Sequence, residues 1–105
     1  MPTKKPPTPP AHLSRESKAR WVQIVTEWQL QAEDADAVLL LEQALTALDR
    51  AAQARAVIED LGVVIRPENG GMVRANPAAK IEADAMRAAR LALKQLNLDP
   101  TIADR

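Results

Sequence analysis

Trp21, Ile24, Val25 and Trp28 fall at i, i+3, i+4 and i+7, the spacing that lines one face of an α-helix. Leu13-Ser14 precedes them. Ser14 offers an oxygen to the first free amides of a helix, and Leu13 stands where a hydrophobic staple would sit. The pattern predicts a first helix from Ser14 to around Gln31. A second period begins after the acidic pair Asp34 and Asp36, either of which can cap. Val38, Leu41, Leu45, Leu48 and Ala52 keep the 3–4 spacing, and Ile58 and Leu61 continue it on a slightly drifted face. No breaker interrupts the run before Gly62, the expected left-handed stop, so the second helix covers about Ala35 to Leu61. At ~1.5 Å per residue it is near 40 Å long.

The helical period fails over VVIRPENGGMVRANP. Val63-Val64-Ile65 and Met72-Val73 read as two short strands around a Pro67–Gly71 turn, since Asn-Gly and Gly-Gly supply the positive φ angles a hairpin uses. Asn76-Pro77 then reads as an N-cap followed by proline in the first helical position, where its missing N–H costs nothing. A third helix follows to about Leu96, with Ile81, Ala85, Ala88, Ala89, Ala92, Leu93 and Leu96 on its apolar side. Asn97 ends it, and Asp99-Pro100 starts a last turn.

Composition sharpens this outline. The segment MPTKKPPTPP holds five of the chain's eight prolines and no large apolar residue beyond Met1. It buries too little to offset its ordering entropy, so residues 1–12 are expected as a disordered basic arm, 13–97 as the helical domain and 98–105 as a short tail. There is no apolar run of signal-peptide or membrane-span type. Cysteine is absent from the 105 residues, which removes disulfides, thiolate metal sites and cysteine nucleophiles. The two tryptophans are the only aromatic residues. A monomer with so few large side chains buries a modest core, and the long second helix exceeds what it can cover. Both facts point to self-association. Trp21, Ile24, Trp28, Leu41, Leu45, Leu48, Ile65 and Val73 are the residues expected to pack, in the core or between copies.

The charges sum to zero but are partitioned. Lys4, Lys5, Arg15, Lys18 and Arg20 face Glu16 alone at the N-terminus; every charge from Gln23 to Glu42 is acidic; and cations lead again from Val63 to Leu96. Such zones suit a polyanion, or contacts between copies. In the third helix Lys80, Arg87 and Lys94 recur every seven residues, with Arg90 about 60° away, almost opposite the apolar side. Taken alone the stripe reads as a solvated polar face, with Asp84 bracing Lys80 and Arg87. Repeated around an oligomer, it would attract nucleic-acid phosphates. The N-terminal cations have the same two readings, a solubilising tail or an arm that follows a phosphate backbone.

Catalytic signals are sparse. His12, the one histidine, lies in the proline-rich arm, and Asp34 and Asp36 suit capping better than metal binding. Gly70-Gly71 lacks the lysine and the strand-to-helix setting of a phosphate loop. The composition points to neither an enzyme nor a cofactor.

A Trp-bearing first helix (SRESKARWVQIVTEWQL), a long second helix behind acidic residues, a hairpin left through RANP and a closing LNLDP occur here in that order. The set resembles one family of small terminase subunits from tailed bacteriophages, over residues 13–105. The family's closing motif is nearer Leu-Gly-Leu-Thr-Pro, so Asn97 and Asp99 depart from it. The resemblance implies a mainly α protein of three helices with a short β-hairpin between helices two and three, assembling as a ring-shaped homo-oligomer. It further implies a non-enzymatic packaging factor in the cytoplasm of the infected bacterium. Such a factor binds viral duplex DNA and recruits or stimulates a large terminase subunit that carries the ATPase and nuclease. The DNA-facing residues would be Lys4, Lys5, Arg15, Lys18, Arg20, Lys80, Arg87, Arg90 and Lys94. Two other readings fit the residues: a small dimeric DNA-binding regulator of a phage, and a purely structural helical oligomer whose basic zones meet a neighbour's acidic one.

Overall fold

The computed structural model describes residues 5–68 and 70–97. Lys4, the turn residue Asn69 and the tail with Asp99-Pro100 lie outside them. The chain forms three helices, α1 (Arg15–Trp28), α2 (Ala35–Leu61) and α3 (Pro77–Asn97), with a two-stranded antiparallel hairpin, β1 (Val64–Ile65) and β2 (Arg74–Ala75), connecting α2 to α3.

α2 and α3 run antiparallel, tied at both ends by apolar groups. Leu96, late in α3, packs into one core with Leu41 and Leu45 from early α2; Ala78, early in α3, packs with Ala54 and Ile58 from late α2. Most buried residues of the two helices are alanines, among them Ala37, Ala44 and Ala51 on α2, and Ala78, Ala85 and Ala92 on α3. Both sets repeat every seven residues, and methyl side chains let two helices lie close along their length. The periodicity in larger side chains pointed to Ala52 and Leu61 as inward and to Ala88 on the apolar side of α3; all three are exposed. Ile81 is also exposed, and Leu93 half-buried. An alanine carries too little hydrophobic signal to show which of its helix's faces is the seam.

α1 lies across the early half of α2. Leu13, Trp21, Val25 and Leu30 join the larger core, with Ile24, Trp28 and Leu48 packed against it. The helix ends at Trp28, short of the expected Gln31, because Gln29 adopts the left-handed conformation at φ 53°, ψ 41°. The N–H of Leu30 then bonds to the carbonyl of Val25, a pattern that closes a helix at a left-handed residue. Residues 5–12, expected as a disordered arm, lie against the helices in this structure. Trp21 Nε1 donates to the Pro7 carbonyl at 3.0 Å, Ala32 N donates to the Lys5 carbonyl at 3.0 Å, and His12 Nε2 shares a hydrogen bond with Thr46 Oγ1 at 2.9 Å. The indole gives the arm a partner that its own composition lacks.

The start of α1 is held from α2. Ser14 caps the helix through its Oγ, which accepts from Ser17 N at 3.1 Å. The carboxylate of Asp49 accepts from Ser14 N at 2.7 Å, from Ser14 Oγ at 2.6 Å and from Ser17 Oγ at 2.6 Å. Burial pushes the Asp49 carboxyl up. The hydrogen bonds from Ser14 and Ser17, with a smaller contribution from His12, outweigh it and leave the pKa below the ordinary aspartate value.

The chain turns at Gly62, whose φ of 86° and ψ of 166° are extended on the positive-φ side, not the left-handed helical stop expected. β2 also departs from expectation. The second strand forms at Arg74–Ala75 and not at Met72-Val73, leaving residues 66–73 as the loop. Asn76 decides this register. Its N–H donates to the Val63 carbonyl at 2.8 Å and its Nδ2 to the Gly62 carbonyl at 2.8 Å, so pairing starts from the end of the hairpin next to α3. Its Oδ1 accepts from Ala78 N at 3.0 Å, capping α3 as the Asn-Pro pair predicts. Val73 is exposed and lies outside the chain's own core, while Ile65 is half-buried.

Candidate nucleic-acid interface

The alanine seam of α3 determines which way its charges point. Since Ala78, Ala85, Ala89, Ala92 and Leu96 face α2, Lys80, Arg87, Arg90 and Lys94 are carried to the opposite side, and all four are exposed. At ~100° per residue they occupy a sector about 80° wide. Lys80 and Lys94 are separated by ~21 Å along the helix axis, which matches about six base-pair steps of ~3.4 Å in duplex DNA.

The two acids of α3 differ. Glu82 is engaged by Arg55 of α2, whose Nε lies 2.7 Å from Glu82 Oε2 and whose Nη2 lies 2.8 Å from Oε1. This two-pronged pair favours the charged form of the guanidinium, through hydrogen bonding first and then through charge. Asp84 stands 3.7 Å from Arg87 Nη1, with both side chains largely exposed. That separation exceeds hydrogen-bond length, so Arg87 retains donors for an outside anion.

Arg90 and Lys94 also border a groove. Together with Ile24 and Trp28 of α1 and Leu93 and Asn97 of α3 they line an open cleft of about 520 Å³. The cleft joins two stripe cations to Trp28, whose apolar spacing favours packing over stacking on bases. Trp28 also packs against the core that seats α1 on α2.

The N-terminal cations are not gathered in the same way. Lys5, Arg15 and Arg20 are exposed and Lys18 is half-buried. Arg15 and Arg20 project about 140° apart around α1. Arg20 lines a different cleft, between α1 and α2, beside Glu16 and Asp49. α3 is therefore the element that presents cations as one surface.

Asp34, weighed with Asp36 as a cap, is drawn back toward the preceding turn. It precedes α2, and its Oδ2 accepts from Gln31 N at 2.8 Å, fixing the turn between helices. Among the described residues no group of three His, Asp or Glu side chains is placed to hold a metal ion, and no helix is long and apolar enough to cross a membrane. Sequence reasoning passed over Asp49, Ser17, Arg55 and Glu82. Their pairings span between 27 and 35 residues, and no local pattern marks a charge as the partner of one so distant.

Residues 17–105 match the family model described as phage terminase, small subunit. No curated protein and no solved structure gives a significant match.

Proposed function

The chain belongs to the small subunits of phage terminases, and on that premise we propose that it binds viral duplex DNA through the outer face of α3. Membership in the family suggests a role in phage DNA packaging, and subunits of this family are generally non-catalytic. The observation that carries the finer reading is the exposed stripe of Lys80, Arg87, Arg90 and Lys94, opposite a seam that leaves the helix no freedom to hide it. Cations on one face of a helix meet phosphates without reading bases, so the contact is mainly electrostatic.

In this reading several copies assemble into a ring that multiplies the stripe, and the assembly engages the genome in the cytoplasm of the infected host. It delivers the genome to a large subunit carrying the ATPase and nuclease. Lys4, Lys5, Arg15, Lys18 and Arg20 act as a secondary contact.

The test is the salt dependence of duplex binding, measured by fluorescence anisotropy between ~50 and 200 mM salt. Each phosphate contact contributes about −0.9 to the slope of log K against log salt. Replacing Arg87, Arg90 and Lys94 by Ala should weaken binding and flatten the slope by about 2.7 per bound chain. An unchanged slope would remove α3 from the interface and leave the N-terminal cations as the remaining candidates.

A further inference from the structure

Two apolar surfaces in this chain face solvent, and they are built from different residues. The first is the hairpin region. Met72 is 91% exposed, and Val63, Val64 and Val73 are each about half exposed. Two-residue strands have little stability of their own, and Asn76 anchors this hairpin with its valines pointing outward. The second is a groove of about 620 Å³ between α2 and α3, with Leu39, Ala47, Ile81 and Ala88 among its lining residues. Leu39 and Ile81 are exposed, and no described hairpin residue lines the groove. Apolar patches on a soluble surface mark contacts with something else.

The charges around the two surfaces are complementary. Arg66 and Arg74 stand beside the hairpin valines against Glu68, giving +2 − 1 = +1. Glu42 and Asp84 line the groove against Arg50, giving −2 + 1 = −1. We infer that the occupant of the α2/α3 groove is the hairpin of a second copy of this chain. Met72 and Val73 enter between Leu39 and Ile81, and Arg66 and Arg74 approach Glu42 and Asp84.

This inference rests on the assembly reading above and gives it a geometry. A knob and a socket formed by different surfaces make a head-to-tail contact, which repeats from copy to copy and closes into a ring if the rotation permits. A contact between like surfaces would stop at a dimer.

The experiment uses the full chain at micromolar concentration, with mass read by light scattering and native mass spectrometry. Far-UV circular dichroism confirms that each variant remains helical. The knob variant is Met72→Asp with Val73→Asp. The socket variant is Leu39→Arg with Ile81→Arg, and Ala88→Arg, at an exposed position, serves as a second socket variant. Each variant alone should be monomeric, with association weakened at least 100-fold. An equimolar mixture of knob and socket variants should give 1:1 dimers and nothing larger, since one intact contact survives per pair.

If wild type assembles and either variant assembles equally well, the inference falls while the ring reading stands. A mixture that stays monomeric also overturns it, because it shows that the two surfaces do not meet. Wild-type monomers would sink both readings together.

Discussion

Removing the Asp49 carboxylate should loosen α1 from the rest of the molecule. It accepts three hydrogen bonds, from Ser14 N, Ser14 Oγ and Ser17 Oγ, all at 2.7 Å or less. Truncation to Ala leaves Ser17 Oγ without its acceptor in a residue only 3% exposed, which costs about 1–3 kcal/mol. Ser14 N loses a charged acceptor, worth about 1–1.5 kcal/mol after allowing for its partial access to water. Ser14 Oγ keeps its capping bond to Ser17 N, so the cap itself survives. The total is about 2–4.5 kcal/mol. For a domain of this size that corresponds to a fall in Tm of about 10–20 °C.

Asp49→Asn retains one acceptor oxygen and should cost about half as much. Both tryptophans lie on α1, so their emission reports the docking of this helix while circular dichroism reports the whole. The variant should show a red shift in emission beginning below the main thermal transition, at matched protein concentration. Acid supplies a second readout. The folded carboxyl titrates below its unfolded value of about 3.9, so its contribution is fully present above that pH and is lost as pH falls through the folded pKa. The Tm difference between wild type and Asp49→Asn should therefore narrow below about pH 3.9. An Asp49→Ala protein melting within ~3 °C of wild type, with unshifted emission, would refute the clamp.

Two further substitutions probe the frame. Gly62→Ala meets no steric obstacle, since an added Cβ would lie 3.5 Å from the Val64 carbonyl; the cost comes from φ 86° with ψ 166°, a region almost confined to glycine, and should be about 1–3 kcal/mol by urea denaturation. Ala89→Leu places three extra carbons at a seam position only 1% exposed; overpacking should cost about 1–3 kcal/mol and, by spreading α2 from α3, weaken assembly. A neutral result at Ala89 would mean that the helices are not closely packed there.

Helix boundaries were legible where the punctuation is local. α2 runs from Ala35 to Leu61 as predicted, although Asp34 at its N-cap makes no side-chain capping bond and Gly62 is not left-handed helical, and Asn76 caps α3 with Pro77 in its first position. Caps and stops act within one turn of backbone, so neighbouring residues carry enough information to place them. The basic stripe was legible for a related reason: one helix face fixes the opposite one. Trp21, Leu41 and Leu45 were equally readable as core, since large apolar side chains leave a strong period.

What the sequence determined by itself is the set of elements, their approximate ends and the separation of charge along the chain, because all three depend on contacts within a few residues. Tertiary structure decided the rest. It chose the alanine face that became the α2/α3 seam, since a methyl group has no strong preference until a second helix approaches it. It moved β2 to Arg74–Ala75, because Asn76 bonds back to residues beyond the loop. It set Asp49 under the start of α1 and Arg55 against Glu82, and it brought Trp28 beside Arg90 and Lys94. Each of these depends on residues distant in the chain being brought close together, and only the packing of one helix against another does that.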